Sequence, residues 1–158
     1  MDEYHKTVGS EEYNIICRSK QNGSDYEWLE LYNKYYSYDP RVVKIIRIEN
    51  EKIIMEKIEG FTLDNKQMFL KLDDEQKRFI VNEVFDIYNK QFNFKDSALG
   101  IMDIWVHCDF YLQNLMYSNG KVRLIDPEGF DKRCLKIKEN NIKYSKFQET
   151  YIQLCCLI

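Results

Sequence analysis

A histidine, an aspartate and an asparagine occur as His107-x-Asp109-x-x-x-x-Asn114, and a second aspartate, Asp126, follows at the end of Leu124-Ile125-Asp126. Hard divalent cations take oxygen ligands. The Asp126 carboxylate would bring charge to such an ion, and the Asn114 amide a neutral oxygen that adds no repulsion. Asp109 lies earlier in the same loop, where its carboxylate could accept a hydrogen bond from an attacking hydroxyl and take its proton. The chemistry that these types allow is a cation held beside a proton acceptor.

Such a set must be positioned by the elements around it. The segment LMYSNGKVRLID between Asn114 and Asp126 predicts an apolar strand, a turn at Asn119-Gly120 and a second strand, which would put Asp126 at a strand end. Upstream, Asp73-Asp74 opens an amphipathic helix to about Lys90, with Ile80, Val84, Ile87 and Tyr88 on one stripe. Residues 4–20 alternate about Gly9-Ser10 as a hairpin would, and this turns Arg18 and Lys20 the same way. A helix opens with the capping pattern Ser24 to Glu27 and carries Trp28, Leu31, Tyr32 and Tyr35 inward. After Pro40, two β-rich runs flank Glu49-Asn50-Glu51 and read as a second hairpin. A last helix is expected between Leu135 and Ile158 with the stripe Ile142, Phe147, Tyr151 and Leu154, and with Cys155 and Cys156 buried.

Composition narrows the class. At 158 residues, with 44% hydrophobic, 15% aromatic and 31% charged residues, the chain is expected to fold as a globular domain or two thin lobes. A net charge of -3 supplies no broad electrostatic field for nucleic acid or an anionic membrane. The beginning, MDEYHKTVGSEEY, has no apolar core of a signal peptide, and no run has the length of a membrane span, so a cytoplasmic protein is expected. Five cysteines without paired C-x-x-C spacing point to reduced thiols and away from a disulfide framework or a zinc site.

The stretch HCDFYLQNLMYSNGKVRLIDPEG resembles the protein-kinase-like phosphotransferase superfamily in the order, spacing and intervening turn of its motif. Asp-Pro-Glu-Gly at 126–129 is similar to the corresponding stretch of small-molecule kinases of the aminoglycoside and choline type and of capsule-biosynthesis, sugar-kinase-like proteins. MEKIEGFTL, with Glu56 and Ile58, resembles their hinge beside the nucleotide. The resemblance implies ATP and Mg²⁺ as cofactors, Asn114, Asp126 and Glu128 as metal ligands, the last through water, and Asp109 as the acceptor's base. It implies a structural role for His107, whose imidazole would stiffen the loop near Asp126. For the nucleotide phosphates it implies a lysine on the strand before the first helix, a place that Lys20 or Arg18 could fill, with Glu27 or Glu30 as helix partner.

Other family features are missing. There is no G-x-G-x-x-G loop and no Ala-Pro-Glu motif, and few residues follow Asp126 where a protein kinase carries several helices. The resulting expectation is an α+β, reduced two-lobed kinase-like fold. Residues 1–58 would form a small antiparallel sheet with one helix, and residues 59–158 a truncated, mostly helical second lobe. The implied activity is ATP-dependent phosphorylation of a hydroxyl on a small molecule such as a sugar or amino-alcohol, with no nucleic-acid or membrane partner. A non-catalytic nucleotide-binding pseudokinase or scaffold and a minimal protein Ser/Thr kinase are the competing readings. Apolar surface left by the short second lobe would favour a homodimer.

Overall fold

The structure, a computed structural model, describes residues 13–17, 25–50, 52–91, 106–107, 109–131 and 142–158. Its elements in chain order are β1 (Tyr13–Cys17), α1 (Asp25–Tyr38), β2 (Ile45–Glu49), β3 (Lys52–Glu56), β4 (Phe61–Thr62), α2 (Lys66–Leu70), α3 (Asp74–Gln91), β5 (Val106–His107), β6 (Leu115–Ser118), β7 (Lys121–Leu124), β8 (Phe130–Asp131) and α4 (Ile142–Cys155). The architecture is α+β, with small antiparallel sheets and helices, and the expected elements keep their order with β4, α2, β5 and β8 added among them.

The first sheet has the order β1-β3-β2, antiparallel throughout. In its central strand Ile53, Ile54 and Met55 are all buried because both faces of β3 are covered. Asn50 takes a left-handed φ of 49° in the β2–β3 turn, a conformation that asparagine tolerates better than most residues. Of the hairpin expected over residues 4–20, only the β1 arm is among the described residues. Helix α1 buries Trp28, Leu31, Tyr32 and Tyr35, the helical stripe seen in the sequence. Tyr32 is fully buried and donates its hydroxyl to the Val43 carbonyl at 2.6 Å, which ties α1 to the chain entering β2.

The second half contains more sheet than hydrophobic periodicity indicates. Strands β4, β6 and β7 form a second antiparallel sheet, and β5 pairs with β8. Strands of two residues, such as β4, β5 and β8, are too short to show a period of two. Helix α2 is a further element beyond the expected ones, and Asn65 is its N-cap, with its side chain accepting from the Met68 N–H. Helix α3 starts where its capping residues predict. The Asp73 carboxylate accepts from the Gln76 N–H at 2.7 Å, and the Gln76 amide oxygen accepts from the Asp73 N–H at 3.2 Å, a reciprocal capping box.

One continuous core runs from the first sheet through α3 to α4, with Ile53, Leu63, Ile80, Ile87, Leu115 and Leu154 among its fully buried members. Tyr88 on α3 and Phe147 on α4 stack with parallel rings 3.5 Å apart. The cysteines on α4 correct an expectation: Cys155 and Cys156 are exposed. Leu154 takes the core position at this end of the helix, and the helical period carries the next two residues around to solvent.

Candidate functional site

The loop between β5 and β6 alternates in and out. Phe110, Leu112 and Asn114 are buried, whereas Asp109 and Gln113 are exposed and Tyr111 is half-buried. Phe110 sets this phase by packing edge-on against Tyr88 at 5.4 Å and Phe147 at 5.7 Å, which anchors the loop on the α3–α4 layer. Asp109 is thereby left facing outward. Its carbonyl accepts hydrogen bonds from the Tyr111 N–H at 2.9 Å and the Asn114 amide nitrogen at 2.8 Å. Since the Asn114 nitrogen is committed in this way, its amide oxygen is the atom left for a ligand.

Two further bonds join this loop to Asp126. The Ile125 N–H donates to the Asn114 carbonyl at 2.9 Å, and His107 donates its Nε2 proton to the Asp126 carbonyl at 2.6 Å. His107 is 4% exposed, and its own backbone N–H donates to the buried Gln91 side chain at the end of α3. With Nε2 donating to a backbone oxygen and the ring buried, the imidazole ties β5 to the segment at Asp126. Strand β7 leads to Asp126 and is joined to β6 by a turn whose central residues, Asn119 and Gly120, have φ of 49° and 75°, the geometry of a tight two-residue hairpin.

Immediately after Asp126 the chain turns through Pro127–Gly129. A Cβ on Gly129 would strike the His107 imidazole, so this glycine is required by the close approach of the ring. We expect Gly129→Ala to push His107 off the Asp126 carbonyl and to destabilise the fold by about 1–3 kcal/mol, the range for overpacking. Denaturant unfolding together with the ¹⁵N resonances of the His107 ring would measure both effects. Unchanged stability and ring signals would contradict the packing described.

Asp126 is half-buried, and its charge reaches α1. Burial, followed by the nearby Tyr35, Asp126 and Glu56, pushes the Tyr32 hydroxyl well above the ordinary tyrosine range and keeps it neutral. The Asn114 and Asp126 oxygens are hard donors of the kind that Mg²⁺ accepts. Among the described residues, no group of three or more His, Cys, Asp and Glu gathers as a metal site. Glu128 lies in the turn after Asp126, and only its backbone is described.

The residues expected at the nucleotide are placed unevenly. Lys20 and Arg18 lie outside the described residues, and Glu27 is described only as part of the α1 backbone. Glu30 is exposed and lies 3.9 Å from Lys34. The Glu56 carboxylate accepts from the Lys44 N–H at 2.8 Å and pairs with Arg123 on β7. Its side chain is thus engaged between the two sheets. Ile58 packs partly buried against the core in the connection from β3 to β4. The engagement of Glu56 was not legible from the sequence because its partner lies far along the chain.

A cavity of about 450 Å³ opens beside the loop, lined by Tyr111, Leu112 and Gln113, by Thr150 and Leu157 from the α4 end, and by Asp64 and Lys66 at the start of α2. No described helix is long and apolar enough to cross a membrane.

No protein-family model matches the chain, and no curated protein matches it in sequence. Among solved structures it is similar to aminoglycoside phosphotransferases. With the ADP-bound aminoglycoside phosphotransferase APH(2'')-Ib it shares 16% identity at a TM-score of 0.40, over 88% of this chain and 71% of that one. With APH(2'')-IIa in its ternary complex with streptomycin and ATP the identity is 12% and the TM-score 0.34, over 77% of this chain and 61% of the other.

Proposed function

We propose that the chain is an ATP-dependent phosphotransferase that acts on a hydroxyl of a small molecule, with a sugar or amino-alcohol as the favoured acceptor. The observation that carries this reading is the bonding of the Asp109–Asn114 loop to the Asp126 segment through Asn114, Ile125 and His107. Asn114 and Asp126 would hold Mg²⁺, with Glu128 reaching it through water, and Lys20 or Arg18 would face the phosphates. A bound Mg²⁺ would neutralise the charge of the triphosphate.

The chain's own work is positioning. Asp109 would accept the acceptor's hydroxyl proton, orient its oxygen for attack and take the proton late in the transfer. His107 and Gly129 would keep the metal aspartate in register with the loop. The cavity beside Tyr111 and Gln113 has the size of a small-molecule site, with apolar Leu112 and Leu157 and charged Asp64 and Lys66 in its lining. It supports a compact acceptor over a protein one.

The direct test is Mg²⁺-dependent ATP consumption measured against a pool of small hydroxyl compounds. Acceptor-dependent consumption is expected. ATP binding without turnover across the pool would favour the pseudokinase, and consumption that depends on added protein would favour a protein kinase. For the first lobe, Lys20→Met is expected to weaken ATP binding more than Arg18→Met, since one side chain on that face can sit over the phosphates. Calorimetry on the two variants ranks them, and the reverse order would move the anchor to Arg18.

A further inference from the structure

Asp126 is held from a third side, by a segment that none of the loop chemistry uses. Residues 39–43 leave the end of α1 and run beside β7. The Leu124 N–H donates to the Arg41 carbonyl at 3.0 Å, the Val43 N–H donates to the Leu124 carbonyl at 2.8 Å, and Val42 and Leu124 form a parallel bridge. Arg123 adds its Nε–H to the same Arg41 carbonyl at 3.1 Å. Leu124 is two residues from Asp126, so the Arg41 backbone fixes the strand that presents the metal aspartate.

The Arg41 side chain is itself fixed from several directions. Asp39, 2% exposed, chelates it through Nε at 2.9 Å and Nη2 at 2.8 Å. From α3, Asp86 accepts from Nη2 at 2.7 Å and Glu83 from Nη1 at 3.2 Å, and Lys90 reaches Asp86 at 3.2 Å. Burial alone would lower the basicity of Arg41. The hydrogen bonds and charges of Asp39, Asp86 and Glu83 outweigh it and raise the guanidinium above its ordinary range. A planar fork can meet three carboxylates in fixed directions, which a lysine ammonium cannot reproduce. The outcome is a rigid junction among the end of α1, the side of α3 and the end of β7.

We infer that Arg41 is a positioning residue for Asp126, holding the metal aspartate in place through Leu124 and Ile125 and linking its position to that of α1. The use made of Asp126 rests on the phosphotransferase reading, whereas the positioning itself does not. Two variants separate position from stability. Arg41→Lys keeps the charge and loses the fork, and Glu83→Gln with Asp86→Asn weakens the junction from the more exposed side of α3. Amide hydrogen exchange of Leu124 and Ile125 reports the segment, and exchange of Val84 in the α3 core reports the whole fold.

Leu124 and Ile125 should exchange about tenfold faster or more in Arg41→Lys, and to a smaller degree in the double variant, with Val84 unchanged. Mg²⁺-dependent ATP affinity should fall in parallel, while metal-free ATP binding holds. Wild-type protection at Leu124 and Ile125 in both variants would overturn the inference, as would equal loosening of Val84. If Arg41→Lys does not fold, the double variant decides alone by the same criteria. A wild-type protein that binds no Mg²⁺-ATP would sink the phosphotransferase reading and leave the exchange result to judge Arg41.

Discussion

Asp109→Asn is expected to reduce acceptor-dependent turnover by about 10² to 10⁴, or roughly 3 to 5 kcal/mol of barrier, while leaving ATP affinity near wild type. The substitution keeps side-chain volume and removes the charge that would orient the acceptor and take its proton. The structure gives a reason to expect a folded variant. Asp109 supports its loop through its backbone carbonyl, which accepts from Tyr111 and Asn114, and its side chain is exposed. Neither bond depends on the carboxylate. Steady-state kinetics on an acceptor found in the pool, together with calorimetric ATP titration, separates the two effects. Wild-type turnover in Asp109→Asn would show that catalysis does not run through this loop.

The second large effect is expected at Asp126. Asp126→Ala should lose Mg²⁺-dependent ATP binding by about 100-fold or more, since changes even in the outer shell of a metal site cost about 10- to 100-fold in affinity. Asn114 alone brings no negative charge with which to hold a divalent ion against water. This variant should also remain folded, because His107 bonds the backbone carbonyl of residue 126, which alanine retains. Circular dichroism would check the fold and calorimetry with and without Mg²⁺ the affinity. An unchanged Mg²⁺-ATP affinity in a folded variant would remove Asp126 from the metal assignment.

The parts of the site that the sequence revealed are those built by local rules. The Asn119-Gly120 turn, the strands on either side and the helix that opens at Asp73-Asp74 each depend on residues a few positions apart, and all three are present. The parts it concealed depend on distant partners. Glu56 was read as part of a nucleotide hinge, and nothing near it in sequence announces Arg123 as its partner. Nothing around Arg41 in the sequence announces its partners, and its guanidinium is held by Glu83 and Asp86 on α3, far along the chain. The burial expected of Cys155 and Cys156 failed because apolar character alone does not fix the phase of a helix end, and Leu154 occupies the inward position.

The contact between His107 and Gly129 has a consequence for how the chain can vary. The imidazole occupies the space where a side chain at residue 129 would begin, so the two positions draw on a single shared volume. A larger residue at 129 is admissible only with a smaller one at 107, and that exchange gives up the bond to the Asp126 carbonyl. The two sites are therefore expected to change together or not at all. In any distant relative, the identity of the residue three places after the counterpart of Asp126 should disclose whether a histidine still braces the loop.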